Sequence, residues 1–261
     1  MAKVKSGGVT IYYDVRGKGP PLLFHTGAGG SGRIWELAGY VDALKGFRII
    51  LMDPRGRGRS GHPTGVEDHR MPCFVSDVAA VLDDLGVEST AFWGYSNGVM
   101  VGMAFGAAHP ERLRALVGTG SLVDQNYTEL PPIADPQAFI RENVAKRGVA
   151  QDVDRHMKEG NDRFPNLIDA NVREGDPLMY ALDRIAWRSW QGPKSLYATF
   201  GIPLLMLTGE REDVEHRTET ALASLPKGRG VRIPGTGHLS AFARSDLSVP
   251  HAIPFLREHV G

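Results

Sequence analysis

A serine lies between two glycines where a predicted strand gives way to a predicted helix. Residues 94–98 read Gly-Tyr-Ser-Asn-Gly, after the apolar residues 90–93 and before the helical pattern of residues 99–108. Small residues at both ends of such a pentapeptide let the backbone turn sharply, so that the serine hydroxyl stands free at the edge of a sheet. The hydroxyl of Ser96 is therefore a candidate nucleophile for attack on an acyl group.

A serine hydroxyl needs a base to remove its proton at neutral pH, and His238 is the best candidate. It ends the glycine-rich segment Pro-Gly-Thr-Gly-His, which follows a predicted strand at Val231. An imidazole on a loop at the carboxyl edge of the sheet can approach Ser96. The other histidines considered, such as His69, lie in polar loops, in charged helical stretches or beside helix ends, and most of them are expected to be solvated.

A third group must orient the imidazole and offset the charge that it gains in the transition state. The predicted strand at residues 204–208 runs into Gly-Glu-Arg-Glu-Asp, which offers three carboxylates. Asp213 is favoured, because it lies twenty-five residues before His238 and far enough into the turn to reach back. Glu212 is a serious competitor, and Glu210 is a weaker one.

An early glycine turn has two interpretations. Gly27, Gly29 and Gly32 follow an apolar run in the spacing G-x-G-x-x-G, and Asp53 lies twenty-one residues after the last glycine. This spacing matches a dinucleotide site, in which the acid would bind a ribose. Two features argue against that site: a predicted hairpin precedes the turn, and Asp53 continues into the turn at residues 54–60 rather than a ribose pocket.

Taken together, these segments resemble the α/β-hydrolase fold family over nearly the whole chain. The order of serine, acid and histidine along the chain is the one that this family uses. One position departs from the family, which usually has His-Gly where this chain has His25-Thr26. The matching segments are residues 25–30, residues 53–60, the turn around Ser96, Asp213 and His238.

The resemblance implies an oxyanion hole and a reaction. The backbone N–H groups of Asn97 and Gly27 are expected to stabilise the negative oxygen of a tetrahedral intermediate, with Ala28 as the alternative to Gly27. Ser96 would attack an ester-like carbonyl and form an acyl-enzyme, which water activated by His238 would hydrolyse. A serine nucleophile argues against the carboxylate-dependent dehalogenases and epoxide hydrolases of the family. Esters, lactones and thioesters remain open, and no metal or organic cofactor is required.

Apolar runs alternate with helical patterns, which predicts an α/β fold with a mostly parallel sheet covered on both faces. The hydrolase core is assigned to residues 1–121 and 197–261, and a helical lid to the insertion at residues 122–196, which contains no clean apolar strand. Packing is the favoured interpretation of the large aromatic residues, but four are also candidates for substrate contact. These four are Trp35, Tyr95, Trp187 and Trp190.

The composition favours a small-molecule substrate. Thirty basic and thirty acidic side chains cancel, so no overall field attracts nucleic acid or an anionic membrane. The chain contains a single cysteine and no apolar run long enough to cross a bilayer, and its first twenty residues do not resemble a signal peptide. A cytoplasmic location is expected, and a homo-oligomer is left open. Two alternatives to ester hydrolysis remain: a non-hydrolytic or carbon–carbon bond-cleaving enzyme, and a low-turnover binding module.

Overall fold

An eight-stranded sheet forms the centre of the protein in the computed structural model, which describes residues 2–120, 127–146, 164–212 and 217–260. The strand order is β1-β2-β4-β3-β5-β6-β7-β8. β1 pairs antiparallel with β2 and β2 antiparallel with β4, whereas the other neighbours are parallel. The strands are β1 (Ala2–Ser6), β2 (Val9–Arg16), β3 (Pro21–His25), β4 (Arg48–Asp53), β5 (Thr90–Tyr95), β6 (Leu113–Thr119), β7 (Leu204–Gly209) and β8 (Gly228–Ile233).

Helices cover both faces of this sheet, as the alternating pattern predicts. The α-helices are α1 (Arg33–Leu37), α2 (Tyr40–Ala43), α3 (Met71–Asp84), α4 (Asn97–Ala108), α5 (Pro136–Lys146), α6 (Pro165–Ile168), α7 (Pro177–Ala186), α8 (Arg217–Ala223), α9 (His238–Ala243) and α10 (Ser245–Val260). Short 3-10 helices lie at 66–69, 110–112, 127–129, 187–189 and 193–199, and a π-helical turn lies at 169–173. The predicted α/β fold class is confirmed.

The central strands are apolar on both sides because helices cover both sides. Successive side chains of a strand point to opposite faces, so Leu22 and Phe24 enter one core and Leu23 enters the other. Helices α3 and α4 contribute to the core that contains Leu23, and α1, α2, α9 and α10 contribute to the core that contains Phe24. Central strand β5 is buried along its whole length. This two-sided burial fixes the strand ends that carry the candidate site.

Three elements differ from the sequence prediction. Strand β1 adds an edge to the sheet; its alternation of lysines with Ala2 and Val4 fits a strand with one exposed face. The sequence pattern predicts a last helix at residues 250–259; as α10, this helix begins five residues earlier and continues through two internal prolines. Burial of one helix face, including Phe255 and Leu256, offsets the hydrogen bonds that the prolines cannot make. His238, expected on a loop, begins the short helix α9.

The described parts of the stretch between β6 and β7 contain helices joined by loops. Residues 127–146 and 164–203 contain helices α5, α6 and α7 with the 3-10 and π-helical turns, and no strand within those two ranges. Its role as a lid, and its boundaries at residues 122–196, stay predictions. No helix in the described part of the chain combines the length and the apolar character needed to cross a membrane.

Candidate active site

Ser96 lies at the sharp turn between β5 and α4. Its backbone has φ 53° and ψ −120°, and no other non-glycine residue among the described ranges has a positive φ. Its amide donates to the carbonyl of Thr119 at 3.0 Å, and its own carbonyl accepts from the amide of Val99 at 2.9 Å. These hydrogen bonds fix the turn on both sides. Ser96 is partly exposed, whereas the strand before it is buried.

The glycines on either side of Ser96 are required by close packing. A Cβ atom at Gly98 would lie 2.3 Å from the carbonyl oxygen of His25, and a Cβ atom at Gly94 would lie 2.5 Å from the amide nitrogen of Val99. Real Cβ atoms do not approach backbone atoms this closely. Glycine at residue 98 therefore lets the first turn of α4 press against the end of β3, where the early glycine turn begins.

His238 contacts a carboxylate. Its Nδ1 lies 2.5 Å from Oε1 of Glu212, which is only 11% exposed. A ring that donates Nδ1–H to a carboxylate keeps Nε2 free to accept a proton. This pair joins the turn after β7 to the start of α9. The second carboxylate oxygen of Glu212 is buried and has no hydrogen-bond partner within the described ranges.

Three carboxylates after β7 are candidates for the acid that pairs with His238. Asp213, the acid that the sequence favours, lies outside the described residues, so its assignment stays a prediction. Glu212, the competitor, is the carboxylate found beside the imidazole. Glu210, the weaker competitor, accepts a hydrogen bond from the amide of Gly235 at 2.9 Å and holds the loop before His238.

The early glycine turn lies beside the serine. A Cβ atom at Gly27 would lie 3.0 Å from Cβ of Ser96, so the turn backbone passes directly against the nucleophile position. Asn97 is the first residue of α4, and its amide is one of the free N–H groups at a helix N-terminus. Gly27 and Asn97 are therefore both close to the serine, as an oxyanion hole would require. Their role as donors stays a prediction.

Tyr95 lies beneath the parts of this site. Its ring stacks on Phe242 with centroids 4.3 Å apart and lies 5.2 Å from the ring of His238. One ring edge faces Gly27, where an added Cβ would come within 3.3 Å, and the other faces Gly120. With 2% of its surface exposed, Tyr95 is a supporting residue in this structure. Its predicted substrate contact stays a prediction.

The three tryptophans proposed for substrate contact lie in packed surroundings. Trp35 is fully buried and stacks on Phe24 with centroids 4.3 Å apart. Trp187 is 3% exposed and packs edge-to-face on Phe74, and the half-buried Trp190 packs near it. These positions agree with the packing interpretation that the sequence analysis favoured. Any contact with substrate stays a prediction.

The dinucleotide interpretation fails on Asp53. Its Oδ1 accepts from the amide of Gly32 at 2.9 Å, and its Oδ2 accepts from the amide and the Nε of Arg59, each at 3.0 Å. With 1% of its surface exposed and both carboxylate oxygens already accepting hydrogen bonds, Asp53 ties two turns together and is not available to bind a ribose. The last glycine of the G-x-G-x-x-G spacing gives its amide to this carboxylate rather than to a phosphate.

A model of the alpha/beta hydrolase fold matches residues 20–244. The chain belongs to the alpha/beta hydrolase fold family. This match includes the serine turn, the glycine turn and the His238–Glu212 pair, so each candidate residue lies inside the part of the chain that the family shares.

Proteins with sequences similar to this chain are named for different activities. The chain is 26% identical to "Putative non-heme bromoperoxidase BpoC" of Mycobacterium tuberculosis, and the alignment covers 91% of this chain and 94% of that one. It is 35% identical to "Putative carbamate hydrolase RutD" of Azorhizobium caulinodans, over 44% of this chain and 43% of that one. The chain thus spans under half of this second relative. These relatives differ in named activity, so the family alone does not choose the reaction.

A solved structure shares the whole architecture. A thermophilic esterase from Thermogutta terrifontis superimposes with a TM-score of 0.80, covering 100% of this chain and 99% of the esterase at 20% identity. At that identity the likeness establishes the alpha/beta hydrolase fold alone.

Two buried arginines of this hydrolase-fold chain leave the turn after β4 in different directions. Arg55 donates to both carboxylate oxygens of Asp77 on α3, at 2.5 and 2.7 Å, and to the carbonyl of Asp68 at 2.6 Å. Arg57 forms an ion pair with Asp183 on α7. The first contact lies within the core, and the second joins the core to the helical insertion.

The burial of His69 differs from the sequence prediction. Expected in a polar, solvated loop, it is fully buried, with Nδ1 2.6 Å from Oδ1 of Asp183 and Nε2 2.8 Å from the carbonyl of Pro63. His69 therefore joins Arg57 in contacting the carboxylate of Asp183. No local pattern indicates this, because the partner lies 114 residues along the chain.

Proposed function

We propose that this protein is a serine hydrolase that cleaves a small ester, lactone or related carboxylic acid derivative through an acyl-enzyme. The observation that carries the proposal is the turn at Ser96, with φ 53°, set against Gly27 and beside the Tyr95 ring that also contacts His238. A serine in a strained turn, a glycine backbone next to it and an imidazole paired with a carboxylate are the parts that acyl transfer needs.

The reaction begins with the Ser96 hydroxyl. His238 takes its proton at Nε2 while Oγ attacks the carbonyl carbon of the substrate, and Glu212 accepts the Nδ1–H bond and offsets the imidazolium charge. The amides of Gly27 and Asn97 donate to the oxygen that becomes negative. His238 then returns the proton to the leaving alcohol, and the acyl group stays on Ser96.

Hydrolysis repeats these steps with water. His238 removes a proton from a water molecule that attacks the acyl carbon, and the collapse of the second tetrahedral intermediate releases a carboxylic acid and restores the Ser96 hydroxyl. His238 thus carries the Ser96 proton to the leaving alcohol and a proton of water back to Ser96.

The test is a series of p-nitrophenyl esters of increasing acyl length, measured on the wild type and on Ser96→Ala. Turnover by the wild type and its loss in the variant support the proposal, and the acyl length with the highest kcat/KM measures the acyl pocket. A fluorophosphonate that labels the wild type and not Ser96→Ala places the nucleophile. Equal activity of the two proteins overturns the proposal.

A matched pair of variants tests the acid. Glu212→Gln keeps the shape of the side chain but lacks the negative charge, so kcat should fall by roughly 10²- to 10⁴-fold. Asp213→Asn, one residue away, should retain a kcat close to that of the wild type. The reverse result would assign the acid to Asp213.

A further inference from the structure

We propose that Thr26 is a positioning residue that holds the oxyanion turn in its working shape, an inference that rests on the proposed function. Thr26 occupies the position where the family resemblance leads one to expect glycine. It is fully buried, and its hydroxyl donates to the carbonyl of Gly30 at 2.6 Å. This hydrogen bond closes a loop around Gly27, the proposed donor to the substrate oxygen.

The turn needs this hydrogen bond because its own residues allow many backbone conformations. Residues 27–30 are glycine, alanine, glycine and glycine, and glycine loses more conformational freedom on ordering than any other residue. The Thr26 hydroxyl also lies 3.5 Å from the carbonyl of Gly27, but its single proton is directed to the closer oxygen of Gly30. One side chain therefore links the first residue of the turn to the last.

The base of the turn is fixed independently. Nδ1 of His25 lies 2.9 Å from the carbonyl of Thr26, and burial lowers the pKa of His25 to about 4. The neutral ring at pH 7 donates Nδ1–H to that carbonyl. Close packing of Gly98 against the backbone of His25 and Thr26 holds the same point from below. The Thr26 hydroxyl thus connects a rigid base to a turn whose only side chain is the methyl group of Ala28.

The helical insertion limits movement of the turn on its outer side. A Cβ atom at Gly175 would lie 3.0 Å from the carbonyl of Gly29, and one at Gly30 would lie 3.1 Å from Oδ1 of Asn171. The insertion therefore packs directly on the end of the turn that Thr26 ties down. With both ends held, the amide of Gly27 is kept at a set place beside Ser96.

The Thr26 hydrogen bond stabilises the transition state more than it stabilises the bound substrate. The oxyanion of the tetrahedral intermediate accepts stronger hydrogen bonds than the carbonyl of the substrate, so a displaced donor lowers kcat and leaves KM nearly unchanged. Loss of a complete oxyanion donor costs roughly 10²- to 10³-fold in kcat. A donor that is loosened rather than lost should cost about tenfold or more.

The experiment compares Thr26→Val with Thr26→Ser on the best ester of the p-nitrophenyl series. Valine keeps the shape of threonine but lacks the hydroxyl, and serine keeps the hydroxyl. Thr26→Val should lower kcat about tenfold or more, change KM by less than about twofold and slow fluorophosphonate inactivation in the same proportion as kcat. Thr26→Ser should return all three quantities to within about threefold of the wild type.

Three results decide the matter. Wild-type kcat in Thr26→Val overturns the inference, and so does an equal loss in Thr26→Val and Thr26→Ser, because the methyl group rather than the hydroxyl would then be responsible. If valine prevents folding, as judged by circular dichroism, Thr26→Ala removes the same hydroxyl and receives the same test. Activity that persists in Ser96→Ala would instead overturn the proposed function, whatever the Thr26 variants do.

Discussion

Arg55 and Arg57 leave one turn, only two positions apart, yet they stabilise different parts of the molecule. Both are almost fully buried, and each is paired with a buried aspartate. The partner of Arg55 is Asp77 in the core helix α3, whereas the partner of Arg57 is Asp183 in the insertion. A broken Arg55 pair leaves a charge that only unfolding can hydrate. We expect that a broken Arg57 pair is hydrated by a local opening of the insertion, without unfolding of the core.

The largest effect is expected from Asp77→Asn. The substitution leaves the Arg55 guanidinium in the core without its counter-charge, which should lower the free energy of unfolding by about 3–5 kcal/mol. Urea titration followed by circular dichroism measures this loss, and the whole chain should lose stability in one transition. A change below about 1 kcal/mol would mean that the Asp68 carbonyl and water satisfy Arg55 by themselves.

A pH-dependent loss of comparable but smaller size is expected at His25. Burial, the main cause, and the positive charge of Arg57 lower its pKa from 6.5 to about 4, and Asp183 acts in the opposite direction. The unfolded chain therefore binds a proton at this ring below pH 6.5, while the folded chain does so only near pH 4. The stability that neutral His25 contributes is complete above pH 6.5 and falls by about 3 kcal/mol as the pH drops to 4.

His25→Asn is the matched variant, because its amide can also donate to the Thr26 carbonyl but does not titrate. Between pH 7.5 and 4.5, unfolding free energies of the wild type should fall more steeply than those of the variant. Parallel curves would show that His25 is protonated equally in the folded and unfolded chains.

A smaller loss of overall stability is expected from Asp183→Asn, although it removes the shared anion of Arg57 and His69. Opening of the insertion limits the cost, so the free energy of unfolding should fall by only about 2 kcal/mol while proteolysis within residues 127–199 accelerates. Glu174→Gln is the control, since Glu174 joins the insertion to Arg33 through an exposed pair. That variant should change stability by less than about 0.5 kcal/mol. Unchanged proteolysis in Asp183→Asn would remove the distinction between the two arginines.

Local sequence was sufficient to predict which candidate segments lie at strand ends; the catalytic roles of their residues stay predictions. The serine turn, the loop of His238 and the glycine turn each follow an apolar run, and parallel strands bring such ends to one edge of the sheet. Choosing between Glu212 and Asp213 was not possible in this way, because adjacent residues of a turn point in directions that depend on backbone angles. The burial of His69 depends on a partner contributed by the distant helix α7.

Some misjudged features did carry a local signal. The alternation of lysine with small or apolar residues in β1 indicates a half-exposed edge strand. By contrast, the two prolines inside α10 mislead any local rule, because tertiary packing keeps that helix intact.

The backbone angles of Ser96 have a consequence for evolution and engineering. A side chain at φ 53° and ψ −120° costs the fold on the order of 1–3 kcal/mol, and glycine would relieve that cost. Selection for thermal stability alone would therefore favour glycine at residue 96, and the same substitution would abolish the proposed chemistry. If serine is retained at residue 96 among variants selected for thermal stability, its retention indicates selection for catalysis.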